Sequence, residues 1–519
     1  FGSDQQLPGM LYATYVKCPA IGGTVRSANL DEIRALPGVE HAFVLAGNDD
    51  ATELMSGVAI VARDTWAALS ARRSLRVEWD ESNAARDSWS ASRTQALALA
   101  GRPGAETLAD NGDIDAALAG AARTLESVYT HAFVSHVQLE PQNCTAWYRA
   151  DGTLELWAPT QTPQRAVTNV ANALGIEAAA ITLHQLRMGG GFGRRLVNDP
   201  VCEAAAISRE IGKPVKLQWT REDDMSHDFL RVGGFHALKG GVDDTGRAVA
   251  WQNHFITFSA DGKSPVLGGN LAPTEDLAHL IGNFRLMRTQ LPWQSPCGFW
   301  RAPGASAFGF PLQSFLHELS VAGGRDHLEF LLEILGEPRW LQEGNSWALH
   351  TGRAAAVLKL AAEQAGWGRP MPKGRALGLA FYFSHAAHVA QVAEVSVTEG
   401  RRLTVHEVTV ACDVGQILNR SGAENQSEGS VIDGLSTLLG QKLTHENGRV
   451  QERNLDRYPL LRINQAPRVR THFIESDYPP TGLGEPVLPP LAPAVCNAVF
   501  TATGHRIRTM PISDEGYSI

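Results

Sequence analysis

The sequence predicts a mixed α+β and α/β protein of several domains. Three observations lead there. At 519 residues the chain is longer than one ordinary core organises; β-type and helix-type stretches alternate through its first half; and its second half carries long strand pairs followed by helices. With 44% hydrophobic and 19% charged residues the composition is that of a soluble globular protein, and no apolar run approaches the roughly 20 residues of a membrane span. A net charge of -9 argues against nucleic acid or an anionic membrane surface as partner, because either would want a basic excess.

Residues 1–85 read as a small α/β unit. "GMLYATYV" and "GVAIVA" are strands, "DTWAALSARRS" is a helix with Asp64 as its N-cap, and "LRVEWDE" returns to strand. The polar stretch 86–112, ending in "GRPGAETLADNG", is expected to be a linker. Residues 113–344 open on a helical "DIDAALAGAARTLESVY" and contain two successive strand-loop-helix units. In the first, "TLELWAPT" leads to a helix with Thr162 as N-cap and Pro163 at its first position, stopping at Gly175 and leaving Gln161 in the turn. In the second, "ITLHQLR" runs into a glycine loop, and a helix capped by Asn198 or Asp199, with Pro200 behind, ends at Gly212 before "PVKLQWT". Residues 345–519 hold the strand pair "VAQVAEVSV" and "RLTVHEVTVACDV", the helix "NQSEGSVIDGLSTLLG", and a proline-rich loop before "PAVCNAVFTATG".

The glycine loop, "RMGGGFGRR" at 187–195, needs a reason for so bare a backbone. Residues without Cβ reach positive φ and let a large ligand lie on main-chain N–H groups, and a surface turn is the plain alternative. No G-K-[ST] follows and no G-x-G-x-x-G is present, so nucleotide sites of those kinds are excluded. Glu485, in "YPPTGLGEPVLPPLAP", is the strongest carboxylate for acid–base work, since a stiff apolar frame would raise its pKa; a solvated loop acid is the alternative. Arg301 in "GFWRAPG" is either a buried guanidinium aimed at an oxyanion or a stacked surface arginine. His136 and Glu140 in "SHVQLEPQNCTAW" read as structural. Six cysteines are scattered singly, without iron–sulfur or zinc spacing.

Taken in order, "LEPQNCTA", "PTQTPQ", "RMGGGFGRR", "GFWRAPG", "ACDVGQILNRSGAENQSEGSVIDGLS" and "GLGEPVLPPLAPAVCNAVFTATGHRIRTMP" resemble the molybdopterin-binding large subunit of the xanthine dehydrogenase family. The likeness is greatest to the isoquinoline 1-oxidoreductase beta subunit and the related membrane-associated aldehyde dehydrogenases, and it spans essentially the whole chain. It implies a hammerhead-like first domain (1–85) followed by two molybdopterin-binding domains (113–344 and 345–519). It implies a molybdopterin cytosine dinucleotide whose molybdenum takes no ligand from the protein, and 2Fe-2S clusters on a partner subunit. By position, Gln161 matches the hydrogen-bond partner of a molybdenum ligand. Gly190, Gly191, Phe192 and Gly193 match the segment beside the metal; Gln426 and Gly429 match dinucleotide contacts; Arg301 matches an arginine near the metal, and Glu485 the general base. In that chemistry the base takes a proton while water-derived oxygen goes to an electron-poor carbon, and two electrons leave through the partner's clusters.

Two departures qualify the resemblance. Where purine-oxidising relatives have a glutamate after the glycine loop, this chain has Arg194, Arg195 and Leu196, so an azaarene such as isoquinoline is expected, with an aldehyde as alternative. The aromatics Phe299, Trp300, Phe381, Tyr382 and Phe383 agree with a flat apolar ligand, although such residues are more often core. The family's M-G-Q-G and T-G-G-S segments do not occur. An N-terminal portion or separate chain carrying the M-G-Q-G-type segment is therefore expected, and the opening at Phe1 reads as the inside of a domain. A non-catalytic scaffold is the competing class. A cytochrome c acceptor and a periplasmic or periplasm-facing location are further implications of the resemblance.

Overall fold

The structure, a computed structural model, describes residues 1–48 and 50–519. Its first sheet has seven strands in the order Ile181–Gln185, Leu154–Ala158, Asn143–Tyr148, Val215–Gln218, Leu11–Lys17, Gly57–Ala62 and Val39–Leu45. Leu11–Lys17 runs parallel to Val215–Gln218, with Leu11 opposite Val215, and antiparallel to Gly57–Ala62. The boundary expected at residue 85 therefore does not separate two sheets. All six residues of Gly57–Ala62 are buried, and a continuous apolar strand of that kind belongs inside a sheet covered on both faces, flanked by other strands.

The stretch expected as a linker is folded. It contains the helix Trp89–Leu99, capped by the Ser88 hydroxyl accepting from the Ala91 N–H, and the strand Glu106–Asn111. Trp89 stacks on Phe235 with ring centroids 5.1 Å apart, and the strand is the outer edge of the second sheet, antiparallel to Phe284–Pro292. An edge strand is paired on one side only, so a polar composition suits it as well as it suits free chain. The helix expected over 113–129 also stops early. Asp113 accepts from the Ala116 N–H and caps Ile114–Gly120, and Arg123–His131 is strand, paired along its length with Gly234–Val242. Long-range ladder pairing there outweighs local helix propensity.

The second sheet has six strands: Thr509–Met510, Arg123–His131, Gly234–Val242, Ala248–Ser259, Phe284–Pro292 and Glu106–Asn111. The third has four: Arg375–Ser384, Ala387–Thr398, Arg402–Asp413 and Arg468–Phe473. The helix Ala305–Ala322, buried from Ala305 to Ser320, packs against strands of both sheets and against the helix Leu491–Thr503. One apolar core consequently continues across the residue-345 boundary. All six cysteines are buried and free. Among the described residues no helix is long and apolar enough to cross a membrane.

Candidate active site

The two strand-loop-helix units form as their local signals require. The helix Pro163–Leu174 has Thr162 at its N-cap and ends at Gly175 with φ 63°; Asp199–Ile211 has Asn198 at its N-cap and ends at Gly212 with φ 65°. Their strands, Leu154–Ala158 and Ile181–Gln185, are parallel neighbours, so both turns emerge at the same sheet edge. There Gln161 and the glycine loop meet. The Gln161 N–H donates to the Arg195 carbonyl at 2.9 Å, and its side-chain Oε1 accepts from the Gly193 N–H at 3.2 Å. The Nε2 of this exposed side chain donates to no group among the described residues and points its capacity outward.

Close approaches within the chain by themselves call for most of the bare backbone. A Cβ on Gly189 would lie 2.5 Å from the Glu140 Cβ, one on Gly191 2.6 Å from the Gln161 Oε1, and one on Gly193 1.5 Å from the Phe299 carbonyl oxygen. Gly190 and Gly193 also need positive φ, 95° and 112°. Phe192 adopts φ 53° and is 42% exposed, high for so large an apolar residue. The two arginines that follow turn inward. Arg195 donates to the carbonyls of Gly190, Pro159 and Glu140 and pairs with the Glu140 carboxylate, which in turn accepts from the Gly189 N–H at 2.8 Å. Arg194 is fully buried between Asp199 and Asp228. Asp228 also receives the His136 imidazole at 2.9 Å, and the other His136 nitrogen sits 3.0 Å from the Phe299 carbonyl. His136 and Glu140 are thus structural struts under the loop.

The second half of the site is built around "GFWRAPG". The Arg301 N–H donates to the Phe192 carbonyl at 3.0 Å, and the next N–H, of Ala302, faces the Glu485 Oε1 at 3.3 Å. Consecutive peptide groups therefore join the glycine loop to the carboxylate loop. The Arg301 side chain is almost buried, and its donors are taken up within the chain: Nε by the Gly484 carbonyl at 2.6 Å, Nη1 by Asp433 at 2.7 Å, Nη2 by the Gln426 carbonyl and Oε1 at 3.1 Å. This guanidinium acts as a clamp between the Glu485 loop and the helix Arg420–Leu439. Burial pushes the Asp433 carboxyl up, and Arg301 opposes the shift. The reading from sequence missed Asp433, although Gln426, Gly429 and Asp433 lie at i, i+3 and i+7 of one helix face. A Cβ on Gly429 would meet the Arg301 Nη1 at 3.5 Å, an ordinary contact, so this glycine keeps the surface low without being forced by packing.

The apolar frame expected around Glu485 lies beneath it. Residues 486–490 are buried, while the Glu485 side chain is 40% exposed and its Oε2 faces the His385 Nε2 at 3.3 Å. Sequence reading also passed over His385. Of the five aromatics expected at a ligand, Trp300, Phe381 and Tyr382 belong to the core; Phe299 stays exposed beside the glycine loop and Phe383 lines a cavity. Two hollows flank the clamp. One, of about 350 Å³, is lined by Pro303, Leu341, Trp347, Phe383 and His385; the other, of about 330 Å³, by Val414, Ile417, Leu418, Gln426 and Gly482. Gln161, Phe192 and Gln426 are all exposed, Phe192 at φ 53°, so each would be open to a bound group: the amides as hydrogen-bond partners and the ring as an apolar wall.

Models of the molybdopterin cofactor-binding domain match residues 101–333 and, for its second type, 342–467, leaving Glu485 outside both. The chain is 30% identical to the membrane-bound aldehyde dehydrogenase [pyrroloquinoline-quinone] of Gluconacetobacter polyoxogenes, over 99% of its own length and 69% of the relative's. It is 30% identical to the isoquinoline 1-oxidoreductase subunit beta of Brevundimonas diminuta, over 99% of its own length and 65% of the relative's. In fold it is similar to quinoline 2-oxidoreductase from Pseudomonas putida 86, with a TM-score of 0.79 at 14% identity, covering 99% of this chain and 94% of that one.

Proposed function

Because the chain belongs to the molybdopterin-binding large subunits of the xanthine dehydrogenase family, which are molybdenum-dependent oxidoreductases, we propose that its site hydroxylates an N-heteroaromatic ring of isoquinoline-like shape. The observation that carries the proposal is the pair of consecutive N–H groups at Arg301 and Ala302, which bring the glycine loop and the Glu485 carboxylate into one site. The cofactor, taken to be molybdopterin cytosine dinucleotide, supplies the two-electron oxidation and the activation of water when bound. Glu485 takes up a proton there, with its Oε1 held by the Ala302 N–H. Gln161 offers its Nε2 to a ligand of the metal, Phe192 walls the site, and Arg301 fixes the carboxylate loop from behind.

In this reading 2Fe-2S clusters on a partner subunit would accept the electrons, and a further segment of M-G-Q-G type would complete the cofactor pocket. The chain spans 69% and 65% of the length of two of the curated relatives it matches. Residues 1–85 are taken as the family's hammerhead-like unit: Leu11–Lys17, Val39–Leu45 and Gly57–Ala62 join the first sheet, while Thr24–Ala28 and Val77–Asp80 pair with each other separately. A cytochrome c acceptor and a periplasm-facing location rest on the resemblance alone. Aldehyde oxidation at the same site is the second reading, favoured by the name of the first relative. A pure scaffold is disfavoured because it has no use for a carboxylate whose Oε1 accepts the Ala302 N–H while its Oε2 faces the His385 imidazole.

The test uses the complete complex with an artificial electron acceptor and a panel of azaarenes and aldehydes. A kcat/KM for isoquinoline-like rings at least tenfold above that for aldehydes supports ring hydroxylation. The reverse order selects the second reading, and a molybdenum-loaded complex inert to both selects the scaffold.

A further inference from the structure

Strands Arg375–Ser384 and Ala387–Thr398 are joined by a two-residue turn, His385-Ala386, with Ser384 opposite Ala387. Both turn residues have left-handed backbone, φ 53° and 58°. Two-residue hairpin turns with positive φ at both positions favour Asn-Gly or Asp-Gly, because a Cβ there costs roughly 1–2 kcal/mol per residue. Here a histidine and an alanine occupy the tip, and the histidine reaches the site. Its Nε2 lies 3.3 Å from the Glu485 Oε2, while the Oε1 faces the N–H of Ala302, itself at φ 59°. Each oxygen of this carboxylate is therefore met by a residue in left-handed backbone, a conformation that persists where the surrounding structure over-determines it. His385 and Ala386 also line the 350 Å³ cavity with Trp347, Leu349, Phe383 and Pro303, so the imidazole stands between that cavity and the carboxylate.

We propose that His385 is the positioning residue of the site: its imidazole, with Nε2 set against the Glu485 Oε2, aims the carboxylate toward a flat ring held in the cavity that His385 lines. The proposal rests on the reading of Glu485 as the base. A tip kept only for folding would be better served by Asn-Gly, whereas only a side chain with a donor at imidazole reach can meet Glu485.

Two substitutions in the complete complex separate aim from folding. His385→Asn suits the left-handed backbone better than histidine does but is too short to reach Glu485; His385→Gln restores an N–H at similar reach. The expected result is a fall in kcat of roughly 10- to 100-fold in H385N, as for a misplaced reacting group. Calorimetric binding of the ring should change by less than about threefold, and most of the rate should return in H385Q. Wild-type kcat in H385N, a loss confined to ring affinity, or H385Q no better than H385N each overturns the positioning role. Glu485→Gln, measured alongside, separates the two readings. If E485Q is inactive while H385N turns over normally, the base stands and the role of His385 falls; full turnover in E485Q overturns the base reading and the positioning role with it.

Discussion

The N–H of Arg301 donates to the carbonyl oxygen of Phe192 at 3.0 Å, tying two motifs that lie more than a hundred residues apart in sequence. The same arginine's guanidinium holds Gly484, Gln426 and Asp433, so one residue sets the distance between the glycine loop and the carboxylate loop. Lysine cannot copy this, because a single ammonium lacks the planar fork that serves three partners at once. Arg301→Lys is expected to fold, to bind less cofactor, and to lose more than tenfold in turnover. Metal content per complex and kcat measured together check it; unchanged values in both would show that the clamp is dispensable.

Glu485→Gln preserves the shape of the side chain and removes its capacity to take a proton. Turnover should fall by about two orders of magnitude or more, the size of a positioned general-base effect, with cofactor content and melting temperature retained. A variant that turns over at the parental rate would return Glu485 to the status of a loop acid.

Gly193 sits at φ 112°, and a Cβ there would lie 1.5 Å from the Phe299 carbonyl oxygen. Gly193→Ala must move one of the two loops that meet at the site. A destabilisation of about 3 kcal/mol or more is expected from backbone strain and overlap combined. Chemical denaturation reads this directly, and a midpoint equal to the parent's would mean that the loops approach less closely than described.

Asp228 is buried, which by itself pushes its carboxyl up. The His136 imidazole, Arg194 and the Ser135 hydroxyl more than reverse this and hold it well below the usual carboxylate range. A carboxylate depressed in the folded state contributes stability that is fully present above its unfolded pKa, near 3.9, and is lost as pH falls through the folded value. Asp228→Asn should cost about 3–5 kcal/mol at pH 7 by leaving buried charge unpaired. The gap between parent and variant should narrow below about pH 4. Urea unfolding across pH 3 to 7 tests this, and a gap that stays constant down to pH 3 would remove Asp228 from acid sensitivity.

Local rules made much of this protein readable. Asp64 caps its helix by accepting from the Ala67 N–H at 2.8 Å, and Pro163, Gly175, Pro200 and Gly212 mark helix ends where short-range sterics put them. These signals placed Gln161 and the glycine loop at strand ends, and the order of the motifs carried the family. The sequence by itself therefore determined many of the elements, their caps and the motifs that carry the family, because backbone propensity, capping and residue type act within a few positions. Only the tertiary structure decided which element meets which. It put Leu11–Lys17 beside Val215–Gln218, made the polar stretch at 86–112 a helix and an edge strand, and turned Arg194 and Arg195 inward. It also brought Asp433 and His385 to Arg301 and Glu485. Such meetings are fixed by shared burial, by ladder pairing and by the need of each buried charge for a partner, and all three act between residues that the chain itself keeps far apart.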